Sequence, residues 1–425
     1  MFETRRGSPV RKFQIFSCLL ALSVMAGSLH ARAEDQVAAA PAPETRAELR
    51  ALIEAAKLHA PEVSIANASL TSSRSALESG RMAPLGNPYL EVTADRGNKG
   101  VTKDVNVLGT LWLPVELSGQ RGSRGREAKD FVSLHAALLE QTRARAAARL
   151  VRAYGSSAVA AERAAVLNEL LGSARAEAQM IAERVKNGDA IQRDASMAAV
   201  EAARHEVMLA EAQADLLRAR GELSEVLGRE APTVSAGAKP PALNLGDARA
   251  VKLERLPQSQ SLAAEARFYN SSAERWRKEG QSALSLGLVA GRGDLGETRV
   301  GGGLAYAFPV FRVNRPERAR AMAESSRALA EQRVHQSVAG QRLKLLAEQQ
   351  EQLTRAVTTL TQTALPAAEL AVSAVQETYR AGKSEILAVL LTRRELSALS
   401  LRRLELLEQG WLLVSEYVEI TGELP

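Results

Sequence analysis

Apolar residues return along this chain at two periods, and the two periods alternate. Thr45-Arg46-Ala47-Glu48 is a capping-box pattern that predicts a helix start, and a helical hairpin arm follows to about Gly80. The period then shortens: Tyr89-Leu90-Glu91-Val92-Thr93 and Val105-Asn106-Val107-Leu108 alternate around Gly97-Asn98-Lys99-Gly100, which predicts paired strands joined by a turn. From Ser118 to about Lys186 there is no proline, and Phe131, Leu134, Leu138, Val151 and Tyr154 fall at helical intervals. At 1.5 Å per residue this predicts a single rod of about 100 Å. Asn187-Gly188 stops it, and a second helix returns from about Ile191 to Leu227, so the tip of a long αα-hairpin lies at Gly188.

Pro232, Pro240 and Pro241 mark a linker, after which the programme repeats. A shorter helix runs to about Glu279. Leu284, Leu286 and Leu288 then alternate with Ser285, Gly287 and Val289, and a turn at Gly293 to Gly296 leads into Val300 to Phe308. Asn314-Arg315-Pro316-Glu317 starts the next rod, with proline in its first turn. That rod reaches a second tip at Gly382, and the returning helix carries Leu404, Leu407, Trp411, Val414 and Val418 as a seam for another helix. Pro366 falls where Gly172 sits in the first copy, so both rods carry a helix-weakening residue at one height.

The copies also share signatures. Leu113-Pro114-Val115-Glu116 returns as Phe308-Pro309-Val310-Phe311, Lys186-Asn187-Gly188-Asp189 as Arg380-Ala381-Gly382-Lys383, and Pro61 as Pro257, all offset by about 195 residues. The expected fold class is mainly α with a small β part, organised as a leader over 1–33, a first repeat over 34–235 and a second over 236–425.

The leader is read from Arg5, Arg6, Arg11 and Lys12, the apolar run from Phe13 to Gly27, and the small-x-small site Ala31-Arg32-Ala33, which together predict a secretory signal peptide cleaved after Ala33. A membrane anchor would need a run of about 20 apolar residues. Cys18, the one cysteine, lies within this run with Leu19, Leu20, Leu22 and Val24 after it, which argues against a lipid-modified cysteine.

Cleavage changes the charge argument. The formal balance of +6 falls to about +2 once five basic residues and Glu3 are removed, so the case for nucleic-acid binding loses its main support. The remaining arginines are interspersed with glutamates, as on solvated helix faces. No phosphate loop or nucleophile with its base is evident, and Gly301-Gly302-Gly303 sits inside an alternating strand. His59, His135, His205 and His335 are scattered singly, so no metal-ligand cluster is predicted.

Each strand offers about 9 residues, close to what a tilted strand needs to cross a bilayer. Four strands cannot close a barrel, and an open edge in lipid leaves backbone groups unpaired. Either other subunits complete the sheet, or the strands form a soluble β-sandwich beside a coiled coil.

The whole mature chain resembles the TolC-like outer-membrane factor family. The resemblance rests on the doubled unit of helix, strand pair, long helix, tip and return helix, on Leu113-Pro114-Val115-Glu116-Leu117-Ser118-Gly119-Gln120-Arg121, on Arg184-Val185-Lys186-Asn187-Gly188-Asp189 with Asp194, and on Tyr379-Arg380-Ala381-Gly382. It implies a homotrimer in the outer membrane of a Gram-negative bacterium, with four strands per chain in one twelve-stranded barrel and a helical tunnel through the periplasm. It further implies a passive exit duct, with no enzymatic activity and no cofactor, working with a periplasmic adaptor (membrane fusion protein) and an inner-membrane resistance-nodulation-division pump. The segment from Pro114 to Arg121 is most similar to the branch that serves heavy-metal pumps of the cobalt-zinc-cadmium type. A duct for multidrug efflux or type I secretion is the alternative, and a periplasmic adaptor a further one, although an adaptor is expected to carry one hairpin between β-rich modules.

A tunnel end that gates needs charged or hydrogen-bonding side chains able to hold a ring closed and then part, since ion pairs near water are cheap to break. Lys186, Asn187, Asp189, Gln192, Arg193 and Asp194 supply them at the first tip, and Tyr379, Arg380, Lys383, Ser384 and Glu385 at the second, with Gly188 and Gly382 reversing the chain at positive φ. Family members often carry an acidic residue where this chain has Ala388, so an acidic constriction is not expected at that height.

Overall fold

The computed structural model describes residues 45–96, 105–234, 236–243, 245–293, 296–310 and 313–425, all within the unit Pro43–Pro425. The predicted cleavage residues Ala31 and Ala33, the turn Gly97–Gly100 and Phe311 lie outside the described residues.

The first arm is broken where proline dictates. α1 (Thr45–His59) ends at Ala60, whose extended ψ of 140° suits a residue before proline, and Pro61 opens α2 (Pro61–Ser73). A 3₁₀ turn and the short α3 (Leu77–Arg81) complete the arm. β1 (Tyr89–Arg96) and β2 (Val105–Val115) follow, both longer than the alternating cores that announced them.

α4 (Gln120–Lys186) is an unbroken helix of 67 residues, about 100 Å long. Gly172 does not interrupt it. The motif from Leu113 to Arg121 makes the join between sheet and rod: Gly119 takes φ 80° at the N-cap, buried Gln120 donates to the Gln281 carbonyl, and Glu116 accepts two hydrogen bonds, of 2.8 and 2.9 Å, from Arg124. α5 (Gln192–Leu227) returns along α4 and stops at Gly228, before the proline-containing linker.

The linker ends in a short helix that sequence pattern did not predict, α6 (Leu245–Ala250). α7 (Pro257–Glu279), β3 (Leu284–Arg292) and β4 (Thr298–Tyr306) then repeat the first unit. β4 ends before Phe308-Pro309-Val310, so this copy of the motif lies beyond the strand. α8 (Arg315–Thr359) passes through a π-helical turn, Leu360–Ala364, into α9 (Leu365–Arg380), and α10 (Ile386–Thr421) returns. The two rods therefore differ at matched height. Pro366 has no N–H to donate and its ring crowds the preceding turn, which the wider π turn accommodates; Gly172 has neither constraint.

The main core lies midway along the rods. Leu49, Leu52 and Ile53 of α1, Leu150, Val151 and Tyr154 of α4, and Leu223 and Val226 of α5 meet the predicted α10 seam, Leu404, Leu407, Trp411, Val414 and Val418. All five seam residues are buried. Alanines at 146–148, 153 and 158 let the helices approach closely despite the shortage of aromatic side chains.

The described strands form one antiparallel sheet in the order β1-β2-β3-β4, with β1 and β4 at its edges. Its register sorts side chains by face. One face carries Leu90, Val92, Val107, Leu111, Leu286, Leu288, Val300 and Leu304, all exposed, with Val300 at 77% and Leu304 at 74%. The other carries Glu91, Thr93, Asp95, Asn106, Thr110, Trp112 and Ser285, and the Trp112 indole Nε1 donates to Glu91 Oε2 at 2.8 Å. A soluble sandwich would cover the apolar face with a second sheet, and the described residues supply none. No helix among the described residues is long and apolar enough to cross a membrane.

Candidate gating site at the helical tips

The two tips are built by one local rule. At the first, Gly188 takes φ 82°, its N–H donates to the Val185 carbonyl, and the Asp189 N–H reaches back to the Arg184 carbonyl at 2.8 Å. At the second, Gly382 takes φ 69°, its N–H donates to the Tyr379 carbonyl, and the Lys383 N–H reaches the Thr378 carbonyl at 2.9 Å. Both are Schellman closures, in which glycine tolerates the left-handed conformation while the last helical carbonyls are satisfied. The matched sequences, with Gly188 and Gly382 194 residues apart, thus encode the same turn.

The structure divides the predicted site residues into two groups. Lys186, Asn187, Gly188, Asp189, Gln192, Arg193, Arg380, Gly382, Lys383 and Glu385 are exposed around the turns. Lys186 pairs within its own helix with Glu183 at 2.8 Å, and Ser384 accepts a hydrogen bond from Thr378. Tyr379 and Asp194 instead turn inward. Tyr379 is buried among Ile181, Ala198, Ile386, Val389 and Leu390, which forms a small core joining the two hairpins. The Arg184 guanidinium of α4 lies 5.1 Å from its ring centroid. The Asp194 carboxylate, only 15% exposed, sits 3.6 Å from Arg193.

The Tyr379 hydroxyl and Asp194 Oδ1 are buried without a hydrogen-bond partner among the described residues. Burial raises the phenol's pKa above its ordinary value, the Arg184 charge opposes that shift, and the charges of Asp194 and Glu177 reinforce it. The phenol therefore stays neutral, a donor without an acceptor among the described residues. Such an arrangement can take up a partner from a neighbouring copy, or exchange partners, at little cost.

Sequence reasoning missed a second polar layer above the tips. Arg393 of α10 pairs with Glu177 of α4 at 3.0 Å, and Arg394 makes two contacts, of 3.0 and 2.7 Å, with Glu201 Oε2 of α5. His205 Nε2 lies 3.7 Å from Glu201 Oε1. Burial raises the Glu177 pKa against the pull of Arg393 and Arg380. Burial lowers that of His205, with Glu201 opposing the shift and Arg204, Arg393 and Arg394 adding to it. The one signal in the sequence was a pair of carboxylates, Glu177 and Glu201, at core-facing helical positions, which spacing alone does not separate from solvated ones. Arg204 adds a third guanidinium, 3.5 Å from Glu201 Oε1, so both carboxylates of this layer are compensated, and no group of His, Cys, Asp and Glu among the described residues is arranged to hold a metal ion.

Comparison with known proteins bears on this geometry as a whole. No family model matches the chain. The cobalt-zinc-cadmium resistance protein CzcC of Cupriavidus metallidurans is 28% identical over 367 residues, covering 85% of this chain and 86% of that protein. Among solved structures, the outer membrane protein VceC of Vibrio cholerae superposes with a TM-score of 0.68 at 16% identity, over 89% of this chain and 97% of VceC. The open state of the Neisseria gonorrhoeae MtrE outer membrane channel gives 0.65 at 17% identity, over 87% and 88%. At these identities the structural likeness concerns the fold.

Proposed function

From a chain that carries the fold of the TolC-like outer-membrane channels and is a homologue of CzcC, we infer the outer-membrane channel component of a tripartite efflux system, with heavy-metal cations as cargo. The observation that carries this reading is the sheet. It is apolar on one face, polar on the other, unpaired at both edges, and set at the end of rods about 100 Å long.

In lipid, the edge groups of β1 and β4 need partners. A three-fold assembly supplies them by placing β4 of one copy against β1 of the next, giving a closed barrel of twelve strands. Strands of nine residues tilted by about 40° rise roughly 23 Å, close to the apolar band of about 25 Å in outer-membrane barrels. The apolar face then meets lipid, while Glu91, Asp95 and Trp112 face the lumen.

The rods extend from this barrel into the periplasm as a tunnel, each chain giving two repeats divided near 235. The tips meet an adaptor and a resistance-nodulation-division pump. Lys186, Asn187, Asp189, Gln192, Arg193, Arg380, Lys383, Ser384 and Glu385 supply the contacting and gating surface, and Tyr379 with Asp194 its inner links. The duct needs no chemistry of its own, and we assign neither catalytic residues nor a cofactor.

The test is susceptibility of a deletion strain beside its complemented parent, with zinc, cobalt, cadmium, nickel and copper salts set against dyes and antibiotics. Selective sensitivity to divalent metals is expected. Sensitivity to organic compounds alone would keep the duct and replace its cargo, and no change in any sensitivity would remove the efflux reading.

A further inference from the structure

The polar face of the sheet has an uneven floor. The register puts Tyr89, Trp112, Gly287 and Gly303 in one row across β1, β2, β3 and β4. The two glycines carry no side chain, and the Trp112 indole lies over both. A Cβ at position 287 would fall 2.6 Å from Trp112 Cζ3 and 2.8 Å from Cε3, and one at 303 would fall 3.1 Å from Cη2. Glycine inside a strand often marks such a close approach. The recess is local: of Gly301, Gly302 and Gly303, only the last has a side chain within 4 Å of where its Cβ would be.

The indole is held at its other edge as well. Nε1 donates to Glu91 Oε2 at 2.8 Å, so the ring bridges a carboxylate on β1 and the recess on β3 and β4. Tyr89 takes the position opposite Trp112 on β1, so an indole lifted from the recess rises away from the sheet. Arg299 of this face pairs with Glu297 at 2.5 Å, and Glu91 and Asp95 add two carboxylates to it. Twelve strands about 4.8 Å apart and tilted by about 40° enclose a ring of roughly 12 Å radius at the backbone. A flat indole stands only about 4 Å off that wall, whereas three erect ones would fill much of the radius. At about 0.1 M salt, carboxylates on the wall lie roughly one Debye length from the axis, so their field reaches a passing ion.

We propose that Glu91 is a selectivity-determining residue of the duct, favouring cations, and that Trp112 is its positioning residue, kept flat by the Gly287–Gly303 recess so that the lumen stays wide. This rests on the reading of the sheet as one third of a barrel with this face inward. Glu91 presents its charge to the passing ion, the indole N–H fixes where that charge sits, and the glycines decide where the indole lies.

Planar-bilayer recording of the purified full-length protein in a potassium chloride gradient tests this. Glu91→Gln should lower the preference for potassium over chloride at least about twofold at 0.1 M salt, with the difference fading near 1 M, where the Debye length is about 3 Å. Trp112→Phe, which keeps a ring over the glycines but loses the N–H donor, should do the same with conductance unchanged. Gly287→Val fills the recess and is expected to lower conductance at least about twofold, since the displaced indole enters the pore. Adding Trp112→Ala to Gly287→Val should restore it. Should Gly287→Val not assemble, Gly303→Ala, whose Cβ would fall 3.1 Å from the indole, is the milder form of the same test. Quenching of Trp112 fluorescence, taken as wild type minus Trp112→Phe, reads the pair without conduction: caesium should quench more than iodide, and Glu91→Gln should remove the bias.

Equal quenching by the two ions, an ion preference unchanged in Glu91→Gln and Trp112→Phe, or a double variant that conducts no better than Gly287→Val would each overturn the proposal. Failure of the wild-type protein to conduct would instead overturn the channel reading, and a caesium bias in quenching would survive it, because the indole and its carboxylate belong to one chain.

Discussion

Trp411 of α10 sits against Gly155 of α4 so closely that a Cβ at position 155 would fall inside the indole's contact distance. The same indole meets the Tyr154 ring edge-on, with centroids 5.5 Å apart, and is 1% exposed. Gly155 thus lies in a helix interior because the facing helix needs its missing side chain. Burial, reinforced by Glu48, pushes the Tyr154 phenol up to about 12.

Gly155→Ala tests this contact. Helix propensity alone would favour alanine by about 1 kcal/mol, whereas overpacking a core costs about 1–3 kcal/mol. The steric cost is expected to prevail, lowering the thermal midpoint. A midpoint equal to or above that of the wild type would show that α4 and α10 separate freely at this crossing.

Leu288 and Val289 are neighbours on β3 that the register assigns to opposite faces. Leu288→Arg would set a charge on the lipid face near its middle, at a cost of about 2–4 kcal/mol, while Val289→Arg would face the lumen. Membrane fractionation should find the first variant depleted from the outer membrane and the second retained. Equal recovery would overturn the orientation of the sheet.

Lys186 and Arg380 lie exposed at the two tips. Charge reversal at either position should alter pump coupling or channel leak without preventing trimer formation. Wild-type resistance and wild-type conductance in both variants would remove these residues from the gate.

His205 on its own contributes a pH dependence of definite sign to the packing above the tips. Burial lowers its folded-state pKa, so the unfolded segment takes up a proton first as pH falls. The contribution is whole above the unfolded value near 6.5 and is lost as pH falls from there through the folded value. Tip protection in hydrogen exchange should decline across that window, and His205→Gln should flatten the decline. An unchanged slope would place the titration elsewhere.

Much of this fold was legible because its elements are long and its signals local. The alternation around Leu90 and Val107 identified strands, and Gly188 and Gly382 identified turns whose hydrogen bonds proved equivalent. The π turn at Leu360–Ala364 was not legible, since nothing in its residues distinguishes it from the α-helix around it; the constraint comes from Pro366 downstream. The ionic layer was hidden for another reason. Glu201 and Arg394 lie 193 residues apart, and on its own helix each has the spacing of a surface charge. Arg184 was likewise read as part of a motif, and its place beside the Tyr379 ring emerged only when the hairpins were packed together.

The open edges of β1 and β4 carry a genetic consequence. Under the proposed closure, one chain holds a third of a wall, and a single defective edge leaves a seam in whatever ring incorporates it. In a cell making intact chains and edge-blocked chains in equal amounts, random assembly leaves only about one ring in eight free of the defect. Lesions on these two strands are therefore expected to be dominant, whereas those that prevent the chain from folding, and so from joining a ring, are expected to be recessive.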